Sequence, residues 1–155
     1  MALLEKYLRI KKSSIPDAGK GLYTTVFIPK HTLIVEYKGR ITTWKEVEYD
    51  STNGYIYTVN TKHVIDAKRT LKALARYAND ALGLTRVKGV KNNCHFLNDG
   101  LRVYIESARD IEAGEEILVD YGKKYWDVVK ENIKTAKKEE RARLKEILNK
   151  KIKAA

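Results

Sequence analysis

Turn signals come too often before residue 123 for any long element to form there. Pro16, Gly19 and Gly21 break up SSIPDAGKG, and Gly39 interrupts LIVEYKGRIT (33–42). Asn53-Gly54 opens NGYIYTVNTKHVIDA (53–67), Asp99-Gly100 divides NCHFLNDGLRVYIESARDI, and a turn at Glu112–Gly114 feeds EEILVDYG. Between these breaks stand short β-prone runs, starting with residues 7–12 and 22–28, so the spacing predicts several short strands, the 53–67 run bending around Asn60–Lys62. An Asp-Gly pair between two β-prone runs is a hairpin signal. TLKALARYAND (70–80) is the one short helical pattern in this part, and ALGLTRVKGVKNN has no clear period and is read as loop.

The texture changes at Tyr125. Trp126, Val129, Ile133 and Ala136 recur on one helical face, followed by KKEERAR and then Leu144, Ile147, Leu148 and Ile152. One rod of this length would reach about 40 Å at ~1.5 Å per residue, more than a domain this small needs, so a break or a projecting end is expected near Lys137. Glu139 with Arg143, and Glu146 with Lys150, stand at the spacing that supports an exposed helix. The reading is mostly β with some α: a β-dominated domain over residues 1–126 and a basic helical extension over 127–155.

A chain of 155 residues is the size of one domain. Its single cysteine, Cys94, excludes an intramolecular disulfide framework and a thiolate zinc cluster, and the three histidines show no ligand spacing, so no metal is expected. A reducing, cytoplasmic setting and a soluble chain follow as expectations, since no stretch approaches the roughly 18 apolar residues of a membrane span. The net charge of +11 is uneven: Lys123 to Ala155 carries 12 basic against 5 acidic residues, and residues 1–122 carry 19 against 15. Such a tail is suited to nucleic acid or a nucleoprotein, or simply forms a solvated face.

GKG at 19–21 has to be tested as a phosphate loop. A dinucleotide fingerprint needs GxGxxG opening a long helix, whereas GKGLYTTVF runs into another β-prone stretch. Two glycines around one residue can instead let the backbone approach a ligand closely. More telling is the order GKGLYTT, VEYKG, NGYIYTVNTKHVIDA, ALARYAND, NNCHF, RDIEAGEEILVDYG. Over residues 5–126 this series resembles the SET-domain protein lysine methyltransferases, and its last stretch is the most specific part. The resemblance implies a β-clip, SET-type fold of several small sheets of short strands, with a C-terminal pseudoknot in which the NNCHF region and the DYG end thread together, and a C-terminal α-helix.

The same resemblance implies S-adenosylmethionine bound on one side of the domain and a substrate lysine entering by a narrow channel from the other. Tyr121 matches the family's catalytic tyrosine and Tyr37 the second tyrosine of the channel. A phenol with a pKa near 10 is a poor base at neutral pH, so the role implied for Tyr121 is orientation and electrostatic support of the methyl group in transit. Gly54, Tyr55, Phe96 and Val119 match the rest of the channel wall. An apolar wall, with phenylalanine where some relatives have tyrosine, implies transfer of more than one methyl group. On the donor side the implied set is Gly19, Lys20, Gly21, Leu22, Tyr55, Arg76, Asn79, Asp80, Tyr121 and Trp126, with Lys20 facing the methionine carboxylate and Trp126 covering the adenine or packing the tail helix. Asp80 stands where the family has histidine, and Lys72-Ala73 where it has Gly-Asn. The zinc-binding cysteine segments that flank many relatives are absent, and the tail helix is expected to close the channel mouth instead.

Each aromatic taken alone would read as ordinary half-buried sheet packing; their joint order favours an enzyme. Against it stand a SET-like module that binds a peptide or nucleoprotein without turnover, favoured by Asp80 and Lys72-Ala73, and a nucleic-acid-binding domain using the tail. Glu46, Glu48 and Asp50, after VEYKG, are candidates for an acidic groove that would receive a basic substrate. The substrate protein and the oligomeric state are not legible.

Overall fold

The computed structural model describes residues 3–50 and 53–154. The chain divides into two compact units, Met1–Tyr121 and Gly122–Ala155, taken here in turn.

The first unit is built from three small three-stranded sheets. In the first, β1 (Leu8–Lys12) pairs antiparallel with β2 (Lys20–Thr24), and β2 with the two-residue β9 (Glu116–Ile117). In the second, β8 (Arg102–Ser107) lies between β3 (Leu33–Glu36) and β7 (Cys94–Asp99). The β7–β8 pair is the hairpin the Asp-Gly signal predicts: Asp99 faces Arg102, and Gly100 takes a left-handed φ of 61° in the turn. In the third, β6 (His63–Asp66) is flanked by β4 (Arg40–Thr43) and β5 (Ile56–Thr58). The Asn60 side chain accepts hydrogen bonds from the Lys62 and His63 amides, which turns the chain from β5 into β6 at the expected bend.

The run 33–42 is divided by Gly39 into β3 and β4, and the reason is steric. A Cβ at Gly39 would lie 2.6 Å from the Asp66 carbonyl oxygen, so only glycine lets the strand pass there. One helical turn, α1 (Trp44–Val47), follows β4. The core gathers the inward residues of the strands, among them Leu22, Ile34, Val103, Ile105, Ile117 and Val119, each essentially inaccessible to solvent.

Two expectations give way to tertiary structure. The helical pattern at 70–80 forms only a 3-10 turn, Leu74–Tyr77. Its continuation is drawn into extended backbone: Ala78 has ψ near 121°, and Asn79 makes a parallel bridge to Leu118, accepting a 2.8 Å hydrogen bond from the Val119 amide. The final strand is likewise cut to Glu116–Ile117, because Leu118 and Val119 leave β2 for parallel bridges to Asn79 and Cys94. The segment 117–119 is thus tied to two stretches far apart in sequence, which is the crossing that the resemblance implied. Asn93, 2 % exposed, locks it: its side chain donates to the Glu116 carbonyl and accepts from the Leu118 amide, while its own amide donates to the Leu118 carbonyl.

The second unit is α2 (Lys123–Ala154), 32 residues without interruption. Of the two alternatives expected near Lys137, a break or a projecting end, the break does not occur: neither glycine nor proline falls within the helix, and ion pairs at helical spacing run along it. Glu146–Lys150 forms as predicted, whereas Arg143 pairs with Glu140, three residues earlier, rather than with Glu139. At ~1.5 Å per residue α2 is about 48 Å long. No helix of the described residues is long and apolar enough to cross a membrane.

Candidate active site

Tyr121 is the last residue of the first unit, and its position is set from both ends. Its amide donates a 3.0 Å hydrogen bond to Asp80 Oδ2, and its phenol donates to the carbonyl of Ala78. Both acceptors belong to the extended segment 78–80, so backbone and hydroxyl are indexed to the same short piece of chain. The Tyr121 ring is stacked on Phe96 at 6.4 Å.

From Phe96 the aromatic wall continues. Tyr37 meets it edge-on at 5.9 Å, Tyr57 at 4.8 Å, and Tyr37 and Tyr57 are 5.9 Å apart. Four strands and segments therefore deliver four rings to one cluster. The Tyr37 hydroxyl donates to the Tyr55 carbonyl at 3.0 Å, and the Tyr57 hydroxyl to Asn98 Oδ1 at 2.7 Å. Burial pushes the Tyr57 phenol above its ordinary range, the Asn98 hydrogen bond pulling against it, so this hydroxyl stays protonated at neutral pH. With the hydroxyls oriented, the cluster offers ring faces and edges that suit an aliphatic stem and a cationic head.

The other side is a hydrogen-bonded turn. Asn79 Nδ2 donates to the Lys20 carbonyl, which ties segment 78–80 to the Gly19–Gly21 loop. The loop itself is held by Glu116, 7 % exposed, which accepts from the Ser13 and Ser14 hydroxyls at 2.6 Å each and from the Ser14 amide at 3.0 Å. Gly21 has to be glycine because a Cβ would come within 2.3 Å of Glu116 Oε1. Gly19, with φ of 67°, faces open space. Lys20 is exposed on the loop. Arg76 lies across the rings of Tyr55, at 4.1 Å, and Tyr77, at 5.2 Å; its Nη atoms donate to the Tyr77 hydroxyl and the Lys68 carbonyl, while the buried Nε has no acceptor among the described residues.

The residues singled out from sequence divide accordingly. Tyr37, Phe96 and Tyr121 come together. Tyr55 touches Tyr37 through its backbone, and its ring packs under Arg76 instead of joining the cluster. Gly54 is exposed beside it. Val119 and Leu22 are wholly buried in the core, leaving Leu22 only its backbone for a ligand. Trp126 is on α2, edge-on to Tyr125 at 5.0 Å. Of the three acidic residues after VEYKG, Asp50 is paired with Lys68 at 3.0 Å, and Glu46 and Glu48 are exposed.

One contributor, Tyr57, escaped sequence reasoning, and Asp80, expected on the donor side, is held by the protein itself. Tyr57 completes the aromatic cluster; the signal was its period-two relation to Tyr55, since residues two apart in a strand share a face and Tyr55 was already a candidate for the channel wall. Asp80 is 5 % exposed and turned inward, accepting from the Leu82 amide, from Asn92 Nδ2 and from the Tyr121 amide. Its carboxylate is thus engaged by protein donors.

Comparison with known proteins places most of the chain in one family. The SET domain family model matches residues 19–122. The N-lysine methyltransferase KMT5A-A of Xenopus laevis is 33 % identical over 128 residues, 73 % of this chain and 36 % of that protein. The human histone-lysine N-methyltransferase 2D is 34 % identical over 110 residues, 66 % of this chain and 2 % of that protein. The chain thus spans little more than a third of the first of these relatives and a small fraction of the second. Among solved structures, a humanized mutant of the Chaetomium thermophilum Polycomb Repressive Complex 2, bound to the inhibitor GSK126, superposes with a TM-score of 0.62 at 24 % identity, covering 78 % of this chain and 15 % of that one.

Proposed function

The chain belongs to the SET domain family, and from that premise we propose that it is a protein-lysine N-methyltransferase that uses S-adenosylmethionine. The observation that carries the proposal is the Tyr121 phenol, fixed on the Ala78 carbonyl at the edge of the Tyr37–Tyr57–Phe96–Tyr121 cluster. The chemistry of the donor fits the residues at hand: the open Gly19 turn, the Lys20 ammonium, the Asn79 segment and the orphaned Arg76 Nε offer cationic and polar partners for its carboxylate and its adenine. When bound, S-adenosylmethionine supplies an electrophilic methyl group on a sulfonium.

The chain's own residues have three tasks. The ring cluster strips water from the lysine stem and disfavours the charged ammonium, so that a larger share of the amine is neutral at working pH. Tyr37 and Tyr57, their hydroxyls committed to the Tyr55 carbonyl and Asn98, hold the wall in one shape. Tyr121 presents its phenol oxygen, already oriented by the Ala78 carbonyl, to a positively polarised methyl group, where weak CH···O contacts and the oxygen's partial charge align the transfer. Phe96 brings no hydroxyl to hold a water against the amine, which leaves space for a second methyl group.

The test is incubation with methyl-labelled donor and whole-cell protein, with products read by mass spectrometry. Transfer to lysine, reaching beyond the monomethyl state, is expected from the unaltered protein; Tyr121→Phe should lose roughly a hundredfold or more in turnover while donor binding, measured by calorimetry, persists. Unchanged turnover in Tyr121→Phe overturns the assignment. As part of the same proposal the basic surface of α2 contacts nucleic acid or a nucleoprotein; its charge supports this, and binding that does not weaken with rising salt would end it. The single cysteine supports a reducing, cytoplasmic setting.

A further inference from the structure

We infer that Asp80 is a positioning residue for Tyr121, holding the phenol in its working place through the amide of the same residue. The inference rests on the reading of Tyr121 given above. Four observations converge on it. Asp80 is 5 % exposed, and an isolated carboxylate at that depth would be costly, so its charge is kept there by its partners. Those partners include the Tyr121 amide at 3.0 Å on Oδ2, and the Leu82 amide at 2.8 Å and Asn92 Nδ2 at 2.7 Å on Oδ1. Asn92 is anchored in turn, because its Oδ1 accepts from the Ala81 amide at 2.8 Å, which fixes residues 80 and 81 against the NNCHF stretch. Finally, Ala78, two residues before Asp80, accepts the Tyr121 phenol.

Tyr121 is therefore clamped at amide and hydroxyl by one extended segment, and the carboxylate supplies one jaw of the clamp. The same segment is joined to the Gly19–Gly21 loop through Asn79 Nδ2 and the Lys20 carbonyl. A displacement of Tyr121 relative to segment 78–80 is then also a displacement relative to that loop. Methyl transfer is sensitive to misalignment of this kind, so loosening the clamp should lower turnover far more than it weakens donor binding.

Asp80→Asn separates this role from simple packing. An amide has one oxygen, and at least three donors compete for it; directing it at Leu82 and Asn92 satisfies two of them and turns the NH2 group toward the Tyr121 N–H, which the amide then cannot accept. Amide hydrogen exchange followed by NMR reads the clamp without reference to activity: Tyr121 should exchange about tenfold faster or more in Asp80→Asn than in the unaltered protein, while the Val103 and Ile105 amides stay protected. In kinetics, Asp80→Asn should lower kcat by about tenfold with donor affinity within about threefold, and in a Tyr121→Phe background the same substitution should cost less than about twofold, since both changes disable one unit.

Equal exchange at Tyr121 in the two proteins overturns the inference, and so does an Asp80→Asn loss that is as large in the Tyr121→Phe background as without it. Should Asp80→Asn not fold, Asn92→Ala removes one donor from Oδ1 and the tether from the Ala81 amide, and is expected to speed Tyr121 exchange by a smaller factor; no change there overturns the inference equally. If the unaltered protein transfers no methyl group, the proposed activity fails, and the exchange measurement still decides whether Asp80 holds Tyr121.

Discussion

In the first unit Leu118 finds its hydrogen-bond partner in Asn93, 25 residues away, and Asp80 finds Tyr121 at a separation of 41. In α2 Glu146 reaches Lys150, four residues on, and Arg143 reaches back three to Glu140. In these two pairs the first unit buries the polar side chain, Asn93 or Asp80; the helix has no buried residue among those described, and its ion pairs stand in solvent. Long-range, buried contacts are each expensive to lose, because the abandoned group keeps its desolvation penalty. Local, solvated contacts are each nearly dispensable, because water replaces the lost partner and screens what remains. The difference explains why the candidate site is assembled in the first unit. A phenol has to be held to within a fraction of an ångström, and solvated side-chain pairs cannot do that.

The largest effect is expected where the crossing is locked. Asn93→Ala strands the Leu118 amide and the Glu116 carbonyl in the interior, and should cost roughly 3 kcal/mol in urea unfolding at about 1–3 kcal/mol for each orphaned group. A cost no larger than that of a helix-surface substitution would erase the contrast. An intermediate, pH-dependent effect comes from the neighbour of Asn93. Burial pushes the Cys94 thiol up from the ordinary 9.0 to about 12, Arg109 opposing it slightly. The folded state therefore keeps a proton that the unfolded chain gives up. Stability from this source is complete below about pH 9 and lost between there and about pH 12, with a slope of at most about 1.4 kcal/mol per pH unit. Comparing urea midpoints of the unaltered protein and Cys94→Ala from pH 8 to 11 checks the sign: their difference should shift against the unaltered protein as pH rises. The smallest effect is expected in α2. Glu146→Ala breaks an exposed pair at i,i+4 and should change helical circular dichroism little, costing about 0.5 kcal/mol or less and fading with salt. A loss several times larger would show that α2 depends on more than its own local order.

The elements that were legible share one property: a few adjacent residues suffice to specify them. Asp99-Gly100 marks its hairpin because a two-residue turn with positive φ needs glycine there, and Asn60 turns β5 into β6 by capping amides two and three residues on. The helical tail was legible too, and of the break or projecting end expected near Lys137 only the break is excluded, because its sequence holds no residue that would stop it. Tyr37, Phe96 and Tyr121 could be placed only through the order of motifs, since each is an unremarkable strand aromatic by itself. Tyr57 was missed because period two says that Tyr55 and Tyr57 share a face, not that the twist of a short strand hands one ring to Arg76 and the other to Phe96.

Sequence by itself determined the short strands, the turns between them, the helical tail and the family pattern that joins GKG to DYG, because these rest on local conformational preference and on residue types in a fixed order. Tertiary structure alone decided that 70–80 would yield its helix to a bridge with Leu118, that the last strand would stop at Ile117, and that Asp80 would turn its charge inward onto Tyr121. Those outcomes depend on which donors and acceptors meet when distant segments cross, and the need to satisfy a buried polar group outweighs the weaker preferences of the chain on either side of it.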